Sequence, residues 1–404
     1  MENSISDDIL RIELPAVINA YNADNYWTEL DGIISKQPDK HIVFDADKLT
    51  YISSSGLRIL MRVLKQRKEK IPIINVADMV YRVFEITGFI HLMDISKKMK
   101  EISIEGCEMI GAGRSSHVYR LDADTILKCY EPMVPIEMIK REQELSREAF
   151  VKGLPTAIPF DMVKVGDSIG VRFEMIKADT VGNFITSHPE EFDDVASKFT
   201  RLLRQIHTTD VDMGGNFQSV KKMWQDWQQG MEAYYTEDEN NFLKEMIEKV
   251  PERTTMVHCD FHENNVLYQN GELVLIDLAD IGYGHPIFDL AGMAFRAHAS
   301  FIPGRKAHHG LSPENMMKFW KRELEIYFDS DNQTTTDEVY DMCRAFGYLR
   351  SALFPMKHKQ ISAELRDIHI NDARQNLFSN REWALEQTEK LNKFFNNLNK
   401  PSQS

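Results

Sequence analysis

The chain has 404 residues, more than one hydrophobic core usually serves, and its 43% hydrophobic and 27% charged content excludes a disordered, collagen-like or coiled-coil protein. A net charge of −14 argues against nucleic acid as a partner, because phosphate neutralisation needs clustered Lys and Arg, and it suits a cationic small molecule. The start lacks a secretory signal, no run approaches the roughly 18 apolar residues of a membrane span, and Cys107, Cys129, Cys259 and Cys343 lack metal-site or disulfide spacing, so a cytoplasmic protein with free thiols and no membrane partner is expected.

From residue 9 to about 94 the pattern alternates: strand 9–14, helix 23–35, strand 41–46, helix 54–68, strand 71–76 and helix 80–87. Alternation of this kind predicts crossover units on one shared sheet covered by helices. The segment 95–101, with Lys97, Lys98 and Lys100 and little apolar content, is expected to be a linker. The run FDADKLTYISSSGLRILMRVL resembles the STAS domain, the fold of bacterial anti-sigma factor antagonists. The resemblance implies an α/β STAS-like domain over residues 1–100, a protein partner, and a phosphorylatable serine at the start of a helix, which is Ser54 here. A phosphate there meets free backbone donors and the positive end of the helix dipole. Ser53 stands where the antagonists usually carry aspartate, and the alternative role for Ser54 is an N-cap without regulation.

After the expected linker the texture changes. Residues 107–130 read as consecutive short strands with a turn at Asp122, Ala123 and Asp124, followed by helix 136–151 and strand 170–175. Beyond 184 the chain reads as helices over 192–207, 217–235, 240–249, 313–328 and most of 337–398, broken by a strand-rich island at 266–276. Residues 399–404 are expected to be unstructured. A small β lobe (about 107–176) followed by a large helical lobe (about 177–404) predicts a bilobal α+β, kinase-like domain over 101–404.

In MIGAGRSSHVYRLDADTILKCY, Gly111 and Gly113 allow a turn to approach phosphates, and Ser115 and Ser116 offer hydroxyl or amide donors; an ordinary hairpin is the alternative. With the turn at 122–124, Leu121 pairs with Thr125 and Val118 with Lys128, which brings Lys128 beside the strand leaving the glycine loop.

The richest stretch is MVHCDFHENNVLYQNGELVLIDLADIGYGHPIFDLA. It carries His258, Asp260, Asn265 and, beyond a hairpin turning at Asn270-Gly271, Asp277. Both turn residues accept positive φ, so the chain folds back and brings Asp277 beside Asn264 and Asn265, where an amide and a carboxylate suit magnesium. A strict two-residue turn sets Asp277 opposite Asn264, whereas a bulge at Gly271 moves it to the face of Asn265.

This stretch resembles the catalytic segment of the aminoglycoside phosphotransferase and choline kinase family, and the resemblance covers residues 107–300. It implies ATP and magnesium as cofactors and a small-molecule hydroxyl as acceptor. It also implies Asp260 as catalytic base, His258 as a brace of the loop, Asn265 and Asp277 as metal ligands, and Asp289 as the aspartate anchoring the loop. Lys128 would then bind phosphates and pair with a helix glutamate; Glu142, Glu144 and Glu148 compete, and the family's spacing to Gly153 favours Glu142. Glu174 and Ile176 fall where the hinge meets adenine. The third glycine of the protein-kinase loop is replaced by Ser116. Asp280 faces either a second metal or a cationic substrate, or else solvent; His207 reads as core packing; Trp224 and Trp227 either border the acceptor or cover the core. The alternatives to a small-molecule kinase are a protein kinase acting on a STAS-domain serine and a non-catalytic signalling protein on a kinase-like scaffold.

Overall fold

The computed structural model describes residues 3–5, 8–113, 115–212, 215–301, 311–329, 333–358 and 361–396, so the terminal segment 399–404 lies outside the described residues. The chain divides into two compact units, Met1–Ser103 with Met162–Asp167, and Ile104–Asp161 with Ser168–Ser404.

The first unit holds a five-stranded sheet in the order Asn3–Ile5, Ile9–Glu13, His41–Asp45, Pro72–Val76, Asp94–Lys97. Its first pair is antiparallel and the others are parallel. Parallel neighbours need crossovers, and the helices Ala23–Ser35, Ser54–Arg67 and Asp78–Ile86 supply them. Leu10, Ile12, Phe44 and Ile73 are fully buried. The expected linker is corrected: its start forms the edge strand Asp94–Lys97, and Lys100–Glu101 is a further short strand. An edge strand needs backbone pairing on one side only and tolerates lysines toward water, so low apolar content hid it.

The cap is also corrected. Ser53 accepts the Gly56 N–H at 3.5 Å, while Ser54 is the first helical residue and its side chain is exposed. Gly56 permits a close approach, since a Cβ there would lie 2.7 Å from Ile52 Cγ1 and 2.8 Å from Ile18 Cγ2.

In the second unit the antiparallel strands Glu108–Ala112, Ser116–Arg120, Thr125–Tyr130 and Ser168–Glu174 lie side by side in that order. Val118 faces Lys128, the register the turn predicts. Helix Ile136–Val151 follows, and Pro159–Val165, whose residues from Met162 onward belong to the first unit, is a strand that the sequence pattern does not announce. Helix Phe192–Thr208 buries Val195, Phe199, Leu202, Leu203 and Ile206, an apolar stripe at helical spacing. Helices Ile287–Ala299, Pro313–Tyr327 and Gln333–Lys357 complete the core with it. The predicted helix 217–235 is shorter, Val220–Gly230, and the helix after it begins at a capping box of Thr236 and Glu239. Among the described residues no helix is long and apolar enough to cross a membrane.

Candidate active site

The strands Val266–Gln269 and Glu272–Leu275 pair with Gln269 opposite Glu272, so Asn270 and Gly271 form a strict two-residue turn with φ of 51° and 89°. There is no bulge at Gly271, and that alternative is set aside. The last rung is the Ile276 N–H donating to the Asn265 carbonyl at 3.0 Å. Asp277 then leaves the ladder with φ +62°, and its carboxylate lies 3.0 Å from Lys128 Nζ. The left-handed backbone at Asp277, rather than a shift of register, redirects its side chain.

Lys128 Nζ also lies 2.6 Å from Glu142 Oε1. Of the competing glutamates, Glu142 is the one buried against the lysine, and Glu148 instead accepts from the Asn216 amide at 2.6 Å. Burial works against the ammonium, but Glu142 and Asp277 outweigh it and hold Lys128 above the ordinary lysine range.

Asp260 sits on the loop before the hairpin. Its backbone is fixed by Phe261, whose ring packs 4.4 Å from that of Phe199 in the core. The Asn265 amide donates to the Asp260 carbonyl at 3.0 Å and lies 3.4 Å from its Oδ2. Behind the loop, Asp289 accepts the His258 and Cys259 N–H groups at 2.8 and 2.5 Å. His258 is fully buried and its Nδ1 lies 3.4 Å from the Asp260 N–H, so it braces the loop through the backbone; burial lowers its pKa. For Asp260 burial opposes ionisation, yet Lys357 above all, then His262 and Arg350, hold the carboxyl well below the usual carboxylate range.

A cavity of about 510 Å³ gathers these groups: Lys128, Glu142, Asn265 and Asp277 line it, as do Gly111, Gly113, Ser116, Glu174 and Ile176. Ser115 does not line it; its side chain is exposed and its carbonyl accepts the Glu131 N–H at 2.9 Å. The Glu174 N–H donates to the Ile158 carbonyl at 3.0 Å, and the Ile176 carbonyl accepts the Ala178 N–H at 3.1 Å. Asn265 and Asp277 present hard oxygen donors of the kind magnesium takes, and among the described residues no three His, Cys, Asp or Glu side chains form a metal cluster. Such a pair fits an ion that keeps phosphate and water oxygens as its other ligands.

Three groups had no clear signal in the sequence. Lys357, at the end of Gln333–Lys357, lies 2.9 Å from both Asp260 Oδ1 and Asp280 Oδ2. This gives Asp280 a protein partner. Arg350 stacks over Trp224 and Trp227, 5.5 and 4.9 Å from their centroids, and donates to the Cys259 carbonyl at 3.3 Å. His207, read as core packing, bridges Asp289 at 3.0 Å and the Tyr327 hydroxyl at 2.7 Å, so it is part of the loop's anchor. A histidine closing an apolar helix was the one available hint.

Residues 106–319 match the phosphotransferase enzyme family and residues 1–102 match the STAS domain. A protein of Bordetella bronchiseptica named as an anti-sigma factor antagonist, BtrV, is 32% identical over 93 residues, covering 22% of this chain and 79% of its own. Among solved structures, the streptomycin–ATP–APH(2″)-IIa ternary complex is similar at 17% identity and a TM-score of 0.47, covering 74% of this chain and 97% of that one. A choline/ethanolamine kinase family protein of Mesorhizobium loti is similar at 13% identity and a TM-score of 0.47, covering 70% and 92%. With the family matched over more than half its length, the chain belongs to the phosphotransferase enzyme family and carries a STAS domain at its N-terminal end.

Proposed function

We propose that the protein transfers the γ-phosphate of ATP, with magnesium, to a hydroxyl of a small molecule, and that the STAS domain binds a regulatory protein partner. The observation that carries this reading is the convergence of the Lys128–Glu142 ion pair, Asp277 and Asn265 on one cavity, with Asp260, outside its lining, bound to Asn265. Lys128 binds phosphate oxygens, and Glu142 keeps it extended. Asn265 and Asp277 would hold magnesium, which when bound neutralises charge on the phosphates. Asp260 orients the acceptor hydroxyl: a bond forms from the acceptor oxygen to phosphorus, the bond from phosphorus to the ADP oxygen breaks, and the hydroxyl proton passes to the Asp260 carboxylate. The Asp260 and Asp280 side chains are 39% and 37% exposed, so an acceptor can reach them beside the Lys357 ammonium they share.

A panel of hydroxylated metabolites screened for MgATP consumption tests this. Asp260→Ala should lower turnover about 10²-fold or more with MgADP affinity retained; wild-type protein that neither binds MgADP in calorimetry nor consumes MgATP would sink the reading. A second reading, a protein acceptor, draws on the exposed Ser54 side chain. Label from γ-³²P-ATP appearing on protein and absent from Ser54→Ala would favour it.

A further inference from the structure

Lys357 belongs to none of the motifs that define the site, yet it is the residue most intimately tied to Asp260. It comes from the end of a helix 97 residues further along the chain, and its side chain is only 7% exposed. Its ammonium lies 2.9 Å from Asp260 Oδ1, 2.9 Å from Asp280 Oδ2 and 3.5 Å from the Cys259 carbonyl. A long, strongly hydrated side chain is buried in this way only where its charge is matched and its donors are used, and Lys357 has three donors for these three acceptors.

Geometry gives the arrangement direction. Asp260 has two carboxylate oxygens; Lys357 holds Oδ1 at 2.9 Å, while Asn265 Nδ2 and His262 Nε2 approach Oδ2 at the longer distances of 3.4 and 3.6 Å. A carboxylate gripped at one oxygen cannot rotate freely about its terminal bond, so the other oxygen faces a fixed direction. Asp280 in turn prevents Lys357 from following Asp260 alone, since the ammonium is shared between two carboxylates on different segments. Arg350 reinforces the same point from the same helix, 4.0 Å from Asp260 Oδ1 and bound to the Cys259 carbonyl.

Building on the phosphotransfer reading above, we propose that Lys357 is a positioning residue: bridged to Asp280, it fixes the Asp260 carboxylate so that Oδ2 is presented to the acceptor hydroxyl. Asp280 is thereby the anchor of that bridge. Loss of the ammonium frees the carboxylate to rotate and takes from two neighbouring carboxylates the cation they share, leaving Arg350 at 4.0 Å from Asp260 as the remaining partner on that helix, which misorients the base without touching the nucleotide.

The test uses the full chain and the variants Lys357→Met, Lys357→Arg and Asp280→Asn. Lys357→Met should lower kcat about tenfold or more, with the KM for ATP and the MgADP dissociation constant within about twofold of wild type. Lys357→Arg, which keeps a charged donor, should recover most of the loss, and Lys357→Met with Asp280→Asn should be no slower than Lys357→Met alone. A kcat for Lys357→Met within about twofold of wild type, or equal losses for the Arg and Met variants, overturns the proposal. A binding measurement free of turnover separates the two readings. If wild type neither binds MgADP nor consumes MgATP, phosphotransfer itself fails, and the bridge is judged by unfolding midpoints. Lys357→Met should then lower the midpoint and adding Asp260→Asn with Asp280→Asn should restore it; additive losses overturn the bridge.

Discussion

Asp289 accepts the backbone N–H of Cys259 at 2.5 Å, and Cys259 holds φ at +65° in consequence. A non-glycine residue in the left-handed region costs free energy unless its surroundings fix it. Here the N–H is held by Asp289, and the carbonyl by Arg350 at 3.3 Å and Lys357 at 3.5 Å. Asp289→Ala leaves the two N–H groups and His207 without their shared acceptor in a fully buried site, so a loss of about 3 kcal/mol is expected. Chemical denaturation of the full chain measures it, and a change below ~1 kcal/mol would contradict the anchoring role.

Asp277→Asn tests the magnesium assignment. ADP affinity with magnesium should fall by about tenfold or more, while ADP affinity in EDTA should stay near the wild-type value, because the lost carboxylate serves the ion. Calorimetry under both conditions decides it; an equal drop in each would assign Asp277 to Lys128 alone.

The hairpin shows where sequence reasoning ends. Asn270-Gly271 and two apolar runs fix the turn and the strands, since each is a local preference. The direction of Asp277 is not local: it depends on one positive φ and on Lys128, 149 residues earlier. Lys128 itself is legible through the turn at Asp122–Asp124 because antiparallel register is arithmetic. Lys357 is not, since no spacing links the end of a helix to a loop 97 residues before it. The edge strand Asp94–Lys97 escaped for another reason, its stability lying in backbone pairing that composition does not record.

His298 supplies a pH prediction. Burial first, then Arg344 and Lys321, lower its pKa from 6.5 to about 4. The folded state thus binds this proton less readily than the unfolded chain, so the stability it contributes is complete above pH about 6.5 and falls as pH drops toward 4, by roughly 3 kcal/mol. His298→Phe should flatten the unfolding midpoint between pH 6.5 and 4 relative to wild type. Parallel profiles for the two proteins would reject the assignment.

At the first unit the two serines should separate. Ser53→Ala removes the cap and should cost about 1 kcal/mol, whereas Ser54→Ala, at an exposed first-turn position, should change stability by less than ~0.5 kcal/mol. Thermal unfolding of the two variants compares them directly, and equal losses would return the capping role to both.

The grip of Lys357 on Asp260 sets an order of events during synthesis. A nascent polypeptide that has emerged only through Ala299 already carries Lys128, Glu142, Asp260, Asn265 and Asp277, but Asp260 still lacks the ammonium paired with it. The ammonium beside Asp260 therefore arrives late, when the helix ending at Lys357 leaves the ribosome and docks, so the two sides of this contact meet only near the end of synthesis.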